Sequence, residues 1–276
     1  LIRKRVKQED PDALILGEIW EEPTARISYG RHRDFLFGRT HDAVMGYPFR
    51  QDLITFLKDQ IEGGTFASAL EKMISITPKE ALFVQMNLLG SHDTKRIMTE
   101  LAGASSSGSR REQAGVRMND DQRRRGGELL VLATLVQLAF PGAMSVYYGD
   151  ELGMEGYDDP FNRRTFPEEA LTGKEPDGLT RLVTGLTRLR QETPVLKTGL
   201  FEILHAGRDA LVFRRYTRNS RDAFGHPIQG PEEALIAINR GGDRVEFPSS
   251  IKIPPLSERG GKVYLDGSEV FAFEPD

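Results

Sequence analysis

Apolar residues in the first two-thirds of the chain fall into two alternating kinds of run. Short continuous runs at Ala13–Gly17, Ala43–Tyr47, Phe83–Leu89 and Met144–Tyr148 predict strands, and the first reads as buried on both faces. Between them, apolar positions recur every three or four residues and predict helices. Leu1 to Gln8 has the texture of the tail of an amphipathic helix, ended at Asp10-Pro11-Asp12. Phe49, Leu53, Ile54, Phe56, Leu57 and Ile61 form a second helix with a stop at Gly63-Gly64. Further helices run from Phe66 through Ile74, Thr94 to Leu101, Asp121 to Phe140, and Leu179 to Leu189. Gly103–Gly108 and Gly149–Asp177 read as loops. Strands alternating with helices at this spacing argue for parallel βα units with the helices outside.

After Thr198 the pattern changes to short runs separated by Gly, Pro, Asn and Asp: Phe201–His205, Ala210–Tyr216, Leu235–Asn239, Val245–Phe247, Lys262–Leu265 and Val270–Phe273. These predict a small antiparallel β-sandwich. The division falls at residues 1–197 for the α/β part and 198–276 for the sandwich.

Composition narrows the classes. The 276 residues carry 37 basic and 41 acidic side chains, a net charge of −4, which is not the basic footprint of a nucleic-acid binder. The Arg-rich stretch Arg110, Arg111, Arg117, Arg123, Arg124, Arg125 lacks interleaved aromatics and reads as a solvated loop and helix start. With no cysteine, a disulfide framework, a thiolate metal site and a cysteine nucleophile are excluded, although the compartment stays open. The longest apolar run, Leu129–Ala139, is too short for a bilayer and contains Gln137, so it reads as a buried helix and no membrane partner is expected. His32, His41, His205 and His226 lie too far apart for ligand spacing, and no metal or cofactor is expected.

In parallel α/β folds, ligands meet the loops at the carboxyl ends of the strands. Three of the four strands end in chemistry: Glu18, His92-Asp93, and Gly149-Asp150-Glu151. Trp20 is placed to wall Glu18 off from solvent and raise its pKa for general-acid work. Asp93 is the natural second carboxylate, and His92 beside it sets a donor next to an acceptor, as adjacent sugar hydroxyls require. Each feature alone has a plain structural reading: a helix cap or ion pair for Glu18, a local hydrogen bond for His92-Asp93, a solvated turn or helix start for Asp150-Glu151. Tyr147-Tyr148 reads as core at one position and cleft wall at the other.

Taken in order, the motifs are specific. Gly17-Glu18-Ile19-Trp20, Leu88-Leu89-Gly90-Ser91-His92-Asp93-Thr94, Pro141-Gly142 through Tyr147-Tyr148-Gly149-Asp150-Glu151-Leu152-Gly153-Met154, and Asp159-Pro160-Phe161-Asn162-Arg163 together resemble the alpha-amylase family of glycoside hydrolases. The nearest resemblance is to its neopullulanase and cyclomaltodextrinase branch, over nearly the whole chain. The resemblance implies that Glu18 is the general acid/base at the end of the fifth strand of a TIM (β/α)8 barrel. It makes Asp93 the group that grips the sugar hydroxyls and stabilises the oxocarbenium-like transition state. It gives His92 a hydrogen bond to the same sugar, Asp159 and Arg163 a positioning role, Trp20 the leaving-group side, and Tyr47 the cleft lining.

The family's nucleophile, an aspartate in a Gly-x-Arg-x-Asp segment after the fourth strand, has no counterpart among the 17 residues before Glu18. The resemblance therefore implies the C-terminal half of the barrel, strands five to eight, followed by the antiparallel β-sandwich. The chain, opening on Leu1-Ile2-Arg3-Lys4, is expected to be a piece of a longer protein and inactive alone, since a retaining glycosidase needs two carboxyl groups. A homo-oligomer covering the open barrel edge is a corollary. The implied substrate is an alpha-glucan oligosaccharide, with no nucleic acid and no membrane. The branch points to the cytoplasm. A non-catalytic carbohydrate-binding relative, or an alpha-glucan transglycosylase, remains as an alternative.

Overall fold

The computed structural model describes residues 1–172, 177–247, 251–258 and 260–271. Helix α1 (Ile2–Glu9) leads to strand β1 (Leu16–Gly17), a ribbon of β2 (Ile27–Ser28) and β3 (Arg31–His32), and then β4 (Ala43–Val44). Helices α2 (Tyr47–Leu57), α3 (Gly63–Ile76) and α4 (Lys79–Val84) precede β5 (Met86–Leu88). Helices α5 (Ile97–Leu101), α6 (Arg110–Gly115) and α7 (Asp120–Ala139) precede β6 (Ala143–Ser145), and α8 (Gly178–Glu192) and α9 (Pro194–Thr198) follow it.

Strand β1 pairs in parallel with β4, a parallel bridge from Met45 to Met86 links β4 to β5, and β5 pairs in parallel with β6. The four strands therefore lie side by side in chain order and in one direction, which brings all their carboxyl ends to one rim. Helix α7 is held at its start by a capping box in which Asn119 accepts from the Gln122 amide, with Asp120 and Asp121 in the positive first turn. Its second half, Leu129 to Ala139, is buried on every side. Gln137 is tolerated there because its amide donates to Asn87 O and Ser145 O, both at 2.9 Å.

The remaining strands are β7 (Leu200–Ala206), β8 (Ala210–Tyr216), β9 (Glu233–Asn239), β10 (Val245–Phe247), β11 (Ile251–Ile253), β12 (Gly261–Leu265) and β13 (Ser268–Phe271). They form a five-stranded antiparallel sheet in the order β13-β12-β9-β8-β7, with a two-stranded β10-β11 ribbon. Side chains alternate between its faces. Leu211, Phe213, Ile236 and Ile238 join the main core with α7, while Val212, Leu235 and Ala237 pack with Ile253 of the ribbon.

Several sequence expectations need correction. The run Ala13–Gly17 is not buried on both faces: Leu14 is 57% and Leu16 38% exposed, because β1 has a neighbour on one side only. Helix α2 ends at Leu57, and Gly63 opens α3 instead of stopping α2. No side chain fits at Gly63, since a Cβ there would press on the backbone of Gly207. Phe83 and Val84 belong to α4, not to a strand. The first crossover, residues 18–42, contains no helix. Helix α6 and strand β11 were not anticipated, and residues 272–273 of the expected last strand lie outside the described residues.

Candidate active site at the strand ends

Glu18 directly follows β1, Tyr47 opens α2 just beyond β4, His92 and Asp93 follow β5, and Asp159 and Arg163 lie in the loop after β6. A continuous path of contacts joins all seven sequence-predicted residues. The Trp20 indole donates to Glu18 Oε1 at 3.2 Å, and its ring stacks on Tyr47 with centroids 3.8 Å apart. The Tyr47 hydroxyl lies 3.3 Å from Ser91 Oγ, which accepts from the Asp93 amide at 3.2 Å. Asp93 then meets His92 Nε2 at 3.2 Å and Arg163 at 3.8 Å, and Arg163 closes on Asp159 at 2.7 Å.

Electrostatics agree with this path. Burial pushes the Tyr47 phenol above its usual range; the Ser91 hydrogen bond opposes that, and the nearby Glu18 and Asp93 carboxylates add to it. One phenol therefore feels both carboxylates. Neither is sealed: Glu18 is exposed, and the Asp93 side chain keeps 37% of its surface beside its ion-pair partners. The arrangement offers three accessible acids, an imidazole, a guanidinium and a stacked aromatic pair, which suits a polyhydroxylated ring with a basic leaving oxygen.

Other expectations fail here. Trp20 does not wall Glu18 off, since the indole is itself 48% exposed and spends its face on Tyr47. Neither Tyr147 nor Tyr148 is core: their rings flank the Arg96 guanidinium, each 4.3 Å away. Asp150 is no solvated turn: it starts a short 3-10 helix, Asp150–Leu152, as the alternative reading had it, and is a buried partner of Arg96, at 3.1 Å. Burial pushes its carboxyl up to about 7 against the opposing charge of Arg96. No side chain fits at Gly90, because a Cβ there would run into Asp150 Oδ2.

Sequence reasoning missed Ser91, Arg96 and Asn162. Ser91 and Asn162 stood inside the quoted motifs, and Arg96 two residues past one. Nothing in local pattern marks a loop residue as buried. The described residues contain no group of three or more His, Asp or Glu able to hold a metal ion.

The alpha-amylase catalytic-domain model matches residues 1–195. The chain belongs to the alpha-amylase family. Neopullulanase 2 of Thermoactinomyces vulgaris is 32% identical over 273 residues, covering 97% of this chain and 38% of that protein. An amylopullulanase of Thermoanaerobacterium saccharolyticum is 32% identical over 249 residues, covering 86% of this chain and 18% of that one. Among solved structures, the Nostoc punctiforme debranching enzyme is 31% identical with a TM-score of 0.66, covering 88% of this chain and 44% of that chain. The cyclic alpha-maltosyl-(1→6)-maltose hydrolase of Arthrobacter globiformis, at 24% identity and a TM-score of 0.71, shares the fold over 95% of this chain and 51% of its own. The chain thus spans less than half the length of either the neopullulanase or the amylopullulanase. Its likeness to neopullulanase-type glycosidases agrees with the order of motifs read from the sequence.

Proposed function

We propose that the protein to which this chain belongs cleaves alpha-glucosidic bonds of starch-like oligosaccharides with retention of configuration. Glu18 protonates the leaving oxygen and then deprotonates the incoming water. Asp93 and His92 hold the distorted sugar, and Asp159 and Arg163 position it. Trp20 and Tyr47 line the cleft. The observation that carries this reading is the contact path from Glu18 through Trp20, Tyr47 and Ser91 to Asp93, which sets two accessible carboxylates around one phenol. The relatives' names, neopullulanase and amylopullulanase, point to the same bond class.

In this reading residues 1–197 supply strands five to eight of the barrel and residues 198–276 a β-sandwich domain. The attacking carboxylate comes from a segment outside the chain, held about 5–5.5 Å from Glu18. The chain alone then has no nucleophile and is inactive, and its open β1 edge favours self-association, read by sedimentation. In the full-length protein, Glu18→Gln lowers turnover of a maltooligosaccharide by about 10²–10⁴-fold. Near-parental turnover in that variant, or an inverted anomer in the product by NMR, overturns the assignment.

A further inference from the structure

Asn162 has no exposed surface, although it sits in the long loop after β6. Its amide nitrogen donates twice, to His92 O at 2.6 Å and to Thr94 O at 2.8 Å. These are the carbonyls on either side of Asp93, so one side chain spans the main chain that carries it. Arg163 adds a third donor, from Nε to His92 O at 3.2 Å. The orientation of the amide is set by this pairing, since the flipped form would aim Oδ1 at two carbonyls. With both N–H groups spent, Oδ1 is left buried and without a partner. The side chain is thus used entirely as a double donor.

Asn162 is itself held from behind. Its main-chain carbonyl accepts from Arg96 Nε at 2.8 Å. Arg96 is completely buried, lies against both rings of the Tyr147–Tyr148 pair and pairs with Asp150. Gly156 lets the loop close on this guanidinium: a Cβ there would stand 2.6 Å from Arg96 Cγ and 2.8 Å from Asn162 Cα. The loops after β5 and β6 are therefore tied together through two buried polar side chains.

We propose that Asn162 is a positioning residue for Asp93, with Arg96 fixing Asn162 in turn. The inference rests on the proposed role of Asp93 and deepens it. A carboxylate that stabilises a transition state must be held in place before the sugar arrives, and misplacement of about 1 Å costs about 10²-fold in rate. Two donors straddling the residue fix its φ and ψ, which the side chain's own exposed contacts do not.

The test uses the full-length protein with Asn162→Ser, which is neutral and leaves room for water, and the isosteric Asn162→Asp, which removes both donors. Both lower kcat, Ser by about tenfold and Asp by about a hundredfold, while KM for a maltooligosaccharide stays within about twofold. Affinity for a cationic, flattened-ring inhibitor falls in parallel with kcat, and affinity for maltose does not. A merely structural role would move the thermal midpoint and leave this split absent. Asp93→Asn in the same assay separates the two readings. If it keeps turnover, the site assignment falls; if it abolishes turnover while both Asn162 variants keep kcat within threefold, the positioning role falls alone. Should either variant fail to fold, hydrogen exchange at the Asn162 side-chain amide of the unsubstituted protein decides: slow exchange of both N–H protons supports the tie, and exchange at the rate of an open side-chain amide overturns it.

Discussion

Asp150 carries an acid into the interior one residue past the Tyr148–Gly149 turn, and this has a consequence for pH. Burial raises its pKa to about 7 in the folded chain, from the ordinary carboxylate value near 4 when unfolded. Between those values the folded state holds a proton that the unfolded state has lost, so stability falls as pH rises from about 4 to about 7 and levels off above. Asp150→Asn keeps an oxygen to accept from Arg96 but cannot ionise. That variant should lose the decline between pH 4 and pH 7, as followed by urea unfolding at fixed ionic strength. An unchanged slope would show that another group titrates.

At the scale of elements, the legible parts were those whose evidence is local. Helix α7 was read to within one residue at each end, because its acidic first turn and its Pro141-Gly142 stop lie in consecutive sequence. Removing its cap by Asn119→Ala costs about 1 kcal/mol, measurable as a shift in the urea midpoint. Strands β8 and β10 matched their predicted runs because alternation alone fixed them. The errors share another cause. Gly63 was read as a helix stop from its residue type, yet its lack of a side chain serves contact with Gly207, far away in sequence. Phe83 and Val84 satisfy a strand pattern as well as a helical one; in the structure they close α4, where the Phe83 ring meets Phe224 edge-on at 5.0 Å and Val84 stays exposed. The candidate site was legible as a set of carboxyl, imidazole and guanidinium groups at strand ends, which the structure brings together. Its buried supports, Arg96 and Asn162, were not, because burial of a polar loop residue depends on partners more than 50 residues away.

At the scale of the whole molecule, Arg215 binds the α/β part to the sheet, and Arg190 braces the α/β side of that seam. Arg215 of β8 is fully buried and donates to Ala139 O at 2.8 Å, Leu196 O at 3.0 Å and Gly199 O at 2.6 Å. Arg190 of α8 donates to Leu196 O at 2.8 Å and also reaches Leu138 O and Gly142 O. The acceptors cluster at the C-terminal ends of α7 and α9, where the helix dipoles favour positive charge. Burial, and then the neighbouring Arg190 charge, push the Arg215 guanidinium well below its usual range, while burial takes Arg190 to about 10. Since one hydrophobic core also runs through α7 and the sheet, both parts should melt in a single calorimetric transition. Arg215→Met strands several buried carbonyls and lowers stability by at least about 3 kcal/mol. Two separate transitions in the unsubstituted chain would refute this coupling.

Trp20 is the one tryptophan in the sequence, and it rests face to face on Tyr47 while its nitrogen holds Glu18. All indole emission from this chain therefore originates within hydrogen-bonding distance of the proposed proton donor. The molecule carries a built-in optical probe, whose intensity and wavelength report occupancy of the crevice and ionisation of the carboxyl without any added dye.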